Sequence, residues 1–90
     1  MFLIDYAGSF KKDYKRIQKR GHNMQLLNDA LALLSETGTL PEQYRPHKLV
    51  GKYKGYWEAH IEPDWLIIWE RKEAELVLIM MYTGTHSDLF

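Results

Sequence analysis

Two almost uninterrupted apolar runs, WLIIWE at 65–70 and ELVLIMMY at 75–82, constrain this chain more than any other feature. A strand with one face in water alternates apolar and polar residues, so a run without alternation belongs at the centre of a sheet, covered on both sides. Residues 71–74 turn one run back on the other. Just upstream the period is two: Tyr53, Gly55, Trp57, Ala59 and Ile61 point one way, and Lys54, Tyr56, Glu58 and His60 the other. Glu62-Pro63-Asp64 makes the intervening turn, because proline presets φ and aspartate accepts local hydrogen bonds. The second half therefore reads as a three-stranded meander followed by a short tail, Thr83 to Phe90.

The first half has a different rhythm. FLIDY at 2–6 is apolar and β-prone, a short first strand. Ser9 is placed to cap a helix that carries Phe10, Tyr14 and Ile17 at helical spacing, with Gly21 to end it. Asn23 can cap a second helix, whose Leu27, Ala30, Leu31 and Leu34 form one buried stripe before Gly38 and Pro41 close it. Residues 38–52 lack periodicity and read as a loop. The expectation is one domain, 1–90, of class α+β: a small antiparallel sheet packed against an N-terminal helical hairpin, in the order β-α-α-β-β-β.

The chain has no Cys, so neither a disulfide nor a thiolate metal site holds it, which suits a reducing cytosol. The N-terminal segment lacks a signal pattern and no apolar run is long enough for a membrane, so a cytoplasmic protein is expected. Net charge is zero, which argues against a strong unaided nucleic-acid binder. The distribution is uneven, however. Six of the twelve basic residues (Lys11, Lys12, Lys15, Arg16, Lys19 and Arg20) crowd one stretch, and Arg45, Lys48, Lys52 and Lys54 lie where no acid intervenes between Glu42 and Glu58. The first cluster reads equally well as a solvated helix face.

If the last three strands form a meander, the turn after His60 and the exit of the final strand lie at the same end of the sheet. His60, Asp64 and His86 then converge there, and His47 joins them if its loop folds over. Cleavage of RNA through its own 2′-OH requires a base, an acid and cations around the pentacoordinate phosphate. Histidine suits the first two roles, and an aimed aspartate can act as base. Lys48, Lys52 or Lys54 can supply charge, while Trp65, Tyr56 or Phe90 can stack on a base. Each residue also has a plainer reading: His47 a surface loop residue, His60 a strand-end hydrogen-bonder, Asp64 the turn residue after Pro63, Trp65 core. A zinc site is not favoured, since no short H-x-H or H-x₃-H pair occurs.

The run GKYKGYWEAHIEPDWLIIW at 51–69, together with TGTHSDLF at 83–90, closely resembles the YafQ branch of the RelE toxin superfamily. Its members carry a W-K-G-Y-R-D-A-H-V-E-P-D-W type segment and a T-G-(T/S)-H-x-x-L-F ending. Tyr6 to Lys15 and Pro41 to His47 extend the likeness to nearly the whole chain. The resemblance implies a RelE-like microbial RNase fold and a toxin that cuts messenger RNA in the ribosomal A site without metal or other cofactor. It also implies a RelB/DinJ-like antitoxin as partner, with operator DNA reached only through that antitoxin. Carried over by motif, the site comprises His47, His60, Asp64, Trp65, His86 and Phe90, with Asp64 as general base and His86 as general acid. Lys48, Lys52, Lys54, Trp65, Tyr82 and Phe90 are the expected RNA contacts. Tyr82 departs from the family, whose members commonly carry arginine four residues before the tail histidine. A tyrosine brings a hydroxyl and no charge. Two other readings therefore stand beside the toxin: a relative that binds RNA or protein but has lost cleavage, and an RNase that needs no ribosome.

Overall fold

The structure, a computed structural model, describes residues 1–90. The elements are β1 (Leu3–Tyr6), α1 (Gly8–Lys19), α2 (Met24–Thr37), β2 (His47–Lys48), β3 (Trp57–Glu62), β4 (Trp65–Lys72), β5 (Val77–Gly84) and α3 (His86–Leu89). Five strands form one sheet in the order β1-β5-β4-β3-β2. The meander is antiparallel, as its short turns require. The class is α+β as expected, but the sheet is mixed: β1 pairs with β5 in parallel, Leu3 opposite Val77. The link between these two strands runs through the helical hairpin and the other three strands, well beyond the length a parallel pair requires. A second difference lies in the expected loop, where His47 and Lys48 pair with Glu58 and Trp57 and so add a two-residue edge strand.

Both faces of the central strands are covered, which is what their apolar runs demand. On one face Trp65, Ile67, Trp69, Leu78 and Met80 pack with Phe10 and Ile17 of α1 and Leu27, Ala30 and Leu34 of α2. On the other, Leu66 and Ile68 meet Leu89 of the tail helix, with Leu49, Tyr53, Tyr56 and Tyr82 around them. Truncating any of these fully buried leucines or isoleucines to Ala costs about 2–5 kcal/mol.

The cap chemistry is partly as read. Asn23 accepts from Gln25 N–H, and Gly38 ends α2 in the left-handed region at φ 78°. Glycine is needed there twice over, because a Cβ on Gly38 would stand 2.2 Å from the Phe2 ring. Ser9 is not a cap: Ala7 holds that position, and the Ser9 hydroxyl donates to the Met81 carbonyl. The strand expected from Tyr53 begins only at Trp57, because Gly51–Tyr53 is a 3₁₀ turn and Gly55 has φ 93°.

Met81 is a bulge. Ile68 pairs with Tyr82 but Trp69 pairs with Met80, so one residue of β5 is left over. Strand parity alone would put Tyr82 on the helix-covered face with Leu78 and Met80. The extra residue turns it to the opposite face. Just beyond the bulge, Thr83 N–H donates to Asp13 Oδ2 at 3.1 Å, tying α1 to the sheet through a buried carboxylate.

Candidate active site

The sheet face opposite α1 and α2 carries a row of rings. His47 and His60 lie 6.4 Å apart between centroids, His60 and His86 6.1 Å, and His86 and Phe90 6.5 Å. Phe90 then meets Tyr53 edge-on at 5.4 Å, and Tyr53 meets Tyr82 at 5.3 Å. Three connections build this row. The β3–β4 turn places His60 and Asp64, the exit of β5 places His86, and β2 brings His47 over. Because Glu58, His60, Leu66 and Ile68 pair across β3 and β4 on one face, the row lies over the second apolar cluster.

Each imidazole is fixed through its Nδ1. His86 Nδ1 lies 2.6 Å from Asp64 Oδ1, and the same oxygen accepts the His86 backbone N–H at 2.9 Å. These two donors hold the Asp64 carboxyl below the ordinary carboxylate range. His60 Nδ1 faces Pro63 O at 3.3 Å. In both rings the proton then sits on Nδ1, which leaves Nε2 without a protein partner. His47 differs: Nδ1 faces Arg45 O at 2.9 Å and Nε2 faces Glu58 Oε1 at 3.1 Å. A neutral imidazole donates only one of these, so both bonds form only when His47 or Glu58 holds an additional proton. The side chains are open to solvent, at 48% for His47, 55% for His86 and 67% for Asp64.

Phe90 is 60% exposed with its ring in the row, a ready platform for a base. Lys52 lies at the edge of the row, its Nζ 5.3 Å from the Tyr53 ring. Lys54 is exposed beside it in the same loop. Two expected RNA contacts are placed elsewhere. Lys48 pairs with Trp57 across β2 and β3, on the opposite face from His47, and its Nζ lies over the Trp57 ring. Trp65 is 1% exposed within the helix-side core, its Nε1–H donating to Thr83 Oγ1 at 3.0 Å and its ring edge-on to His22. It is a wedge under the β3–β4 turn and offers no face to a base. Residues beyond the expected set complete the arrangement. Glu58 is 5% exposed beneath His47, and its signal in the sequence is an acid two residues before His60 on the same strand face. Tyr53 bridges Phe90 and Tyr82 and donates to Leu89 O at 3.0 Å. Arg20 and Asp88 form an ion pair behind the tail.

The family model of the YafQ toxin, the bacterial toxin of a type II toxin-antitoxin system, matches residues 2–90. The chain belongs to this family. The mRNA interferase toxin YafQ of Escherichia coli (strain K12) is 43% identical over 88 residues, spanning 97% of this chain and 94% of that protein. A YafQ-family structure, from the E. coli DinJ-YafQ complex, superposes with a TM-score of 0.87 at 40% identity, covering 100% of this chain and 99% of that one. A metal-bound toxin from Helicobacter pylori superposes with a TM-score of 0.89 at 33% identity over the full length of both chains. In this member of the family no group of three His, Cys, Asp or Glu side chains is arranged to hold a metal. No helix is long and apolar enough to cross a membrane.

Proposed function

We propose that this chain is a ribosome-dependent endoribonuclease toxin that cuts messenger RNA by attack of a ribose 2′-OH on the adjacent phosphate, without a metal. The observation that carries this reading is the Asp64-held His86 beside a second imidazole with a free Nε2, on a ridge that ends in an exposed phenylalanine. His60 Nε2 takes the 2′-OH proton. The new P–O2′ bond forms as the P–O5′ bond breaks, and protonated His86 gives its Nε2 proton to the departing 5′-oxygen. The products are a 2′,3′-cyclic phosphate and a free 5′-hydroxyl. Asp64 fits better as the group that aims His86 than as the base, because Oδ1 already accepts two donors and a carboxylate held low in pKa is a weaker base. Lys52 and Lys54 supply charge toward the phosphate, and the His47–Glu58 pair buttresses His60.

An open ridge on a neutral protein has little to hold RNA unaided, which supports a ribosome that presents the message, and hence a cytoplasmic site of action. Silencing falls to a RelB/DinJ-like antitoxin. The E. coli relative was solved with DinJ, and here a groove of about 390 Å³ along α1 and α2 offers Tyr6, Phe10, Tyr14 and Leu31 rimmed by Lys11 and Lys15. That groove suits an apolar segment bearing acids. Operator DNA is reached only through the antitoxin. The second reading, a weakened relative acting mainly through its antitoxin complex, rests on Tyr82, which puts a ring where relatives have a cation. Induction in cells followed by mapping of messenger RNA ends decides between them: discrete cleavage supports the toxin, and growth inhibition without new ends supports the weakened relative. Cleavage of naked RNA at the same rate as programmed ribosomes would remove the ribosome from the reading.

A further inference from the structure

We propose that Arg20 is a positioning residue for the tail proton donor, holding the turn that carries His86 and Phe90 against α1 through Asp88. This rests on the RNA-cleaving reading above. Arg20 Nη1 and Nη2 meet the two oxygens of Asp88 at 2.7 and 3.0 Å, a bidentate pair across the two ends of the chain. Such a fork fixes orientation as well as distance. Asp88 is the centre of the tail's own geometry. Its side chain accepts Thr85 N–H at 2.9 Å, and its own N–H donates to Thr85 Oγ1 at 3.2 Å, a reciprocal capping box.

The tail needs such support. His86–Leu89 is a single helical turn, which does not persist by itself in water. It is held at four points: His86 N–H on Asp64, the buried Leu89 on Leu66 and Ile68, the Leu89 carbonyl on the Tyr53 hydroxyl, and Asp88 on Arg20. The first point lies within the site and the second resists lift-off. The Tyr53 bond ties the turn to the loop before β3, and the Asp88–Arg20 pair ties it to the end of α1, so that the pair helps set where His86 Nε2 and the Phe90 ring point. Asp88 occupies a position that the family's T-G-(T/S)-H-x-x-L-F ending leaves open.

The test is a double-mutant cycle of Arg20→Ala and Asp88→Asn, with Arg20→Lys as the conservative variant. Asn at 88 keeps an acceptor for Thr85 N–H and removes the charge that Arg20 grips. Single-turnover cleavage on programmed ribosomes is read at saturating and limiting toxin over a range of salt. The ring signals of His86 and Phe90 are read by NMR in the free protein. Arg20→Ala is expected to lower the saturating rate about tenfold to a hundredfold, as small misplacements of catalytic groups do. Half-saturation and salt slope stay unchanged, and Arg20→Lys recovers part of the rate. In the Asp88→Asn background, Arg20→Ala costs nothing further, and the His86 and Phe90 signals move in both single variants. A salt slope reduced by Arg20→Ala in either background would instead make Arg20 a direct phosphate contact and overturn the proposal. So would unchanged His86 and Phe90 signals. Because the NMR readout needs no RNA, it judges the clamp even if the wild-type chain cleaves nothing, which would sink only the functional reading.

Discussion

Asp64 holds His86 twice through a single oxygen, accepting the backbone N–H at 2.9 Å and the ring Nδ1–H at 2.6 Å. An aspartate that grips both the main chain and the ring sets where the ring sits and which nitrogen is left to react. Asp64→Asn retains an acceptor but not the charge. It is expected to lower cleavage by about two orders of magnitude or more while the melting temperature barely moves. Full activity in the Asn variant would return Asp64 to a turn residue after Pro63.

His86→Ala is expected to abolish growth inhibition and to slow cleavage by about two to four orders of magnitude, the usual cost of losing a general acid. The side chain is exposed and supports no core contact, so the circular dichroism spectrum should match wild type. Undiminished cleavage would remove His86 from the mechanism.

Tyr82 stands on the ridge face, half-buried against Tyr53. An arginine there can reach a bound phosphate from the end of the ring row. Tyr82→Arg is expected to raise single-turnover cleavage roughly tenfold, part of what a preorganised cation is worth. Tyr82→Phe keeps most of the wild-type rate. Equal rates for the Arg, Phe and Ala variants would place Tyr82 outside the site.

Lys48 and Lys52 separate by face. Lys52→Ala should weaken ribosome-dependent cleavage and reduce its salt slope by about one, whereas Lys48→Ala, on the opposite side of β2, should leave the slope alone. Equal effects from both would mean that RNA wraps the sheet edge.

The acid limb of stability should depend on Asp88. Its carboxyl lies far below the ordinary range, chiefly because Arg20 donates to it. A carboxyl depressed in the folded state stabilises the protein above its unfolded value, about pH 4, and loses that contribution as pH falls further. Asp88→Asn should therefore flatten the fall in melting temperature below pH 4. Asp13 has the opposite sign: burial raises its carboxyl, so its ionisation above pH 4 works against the fold. An unchanged acid limb in the Asp88 variant would show that the ion pair is not kept in solution.

Much of the fold was legible because its signals are local. Unbroken apolar runs marked β4 and β5, helical spacing marked α1 and α2, and Pro63 marked the turn that delivers Asp64. The convergence of His60, Asp64 and His86 followed from meander geometry alone. What could not be read depends on pairing at long range. β2 contains two residues, too few for any period to show, and the bulge at Met81 leaves no mark in an apolar run, so strand parity alone puts Tyr82 on the wrong face. A motif identifies Trp65 but not its burial. Arg20 and Asp88 are ordinary surface residues until the tail folds back across α1.

The parallel pairing of β1 with β5 sets the order in which the molecule can be completed. Leu3 is made early, and its partner Val77 follows 74 residues later. At about 5–20 residues per second the first strand waits roughly several seconds, its sheet edge unpaired, for the strand that will sit beside it. β5 also carries Tyr82 and leads into His86, so the closing of the sheet and the placing of the His86 ring beside Asp64 are one event. A nascent chain short of β5 thus lacks both His86 and the strand that leads into it.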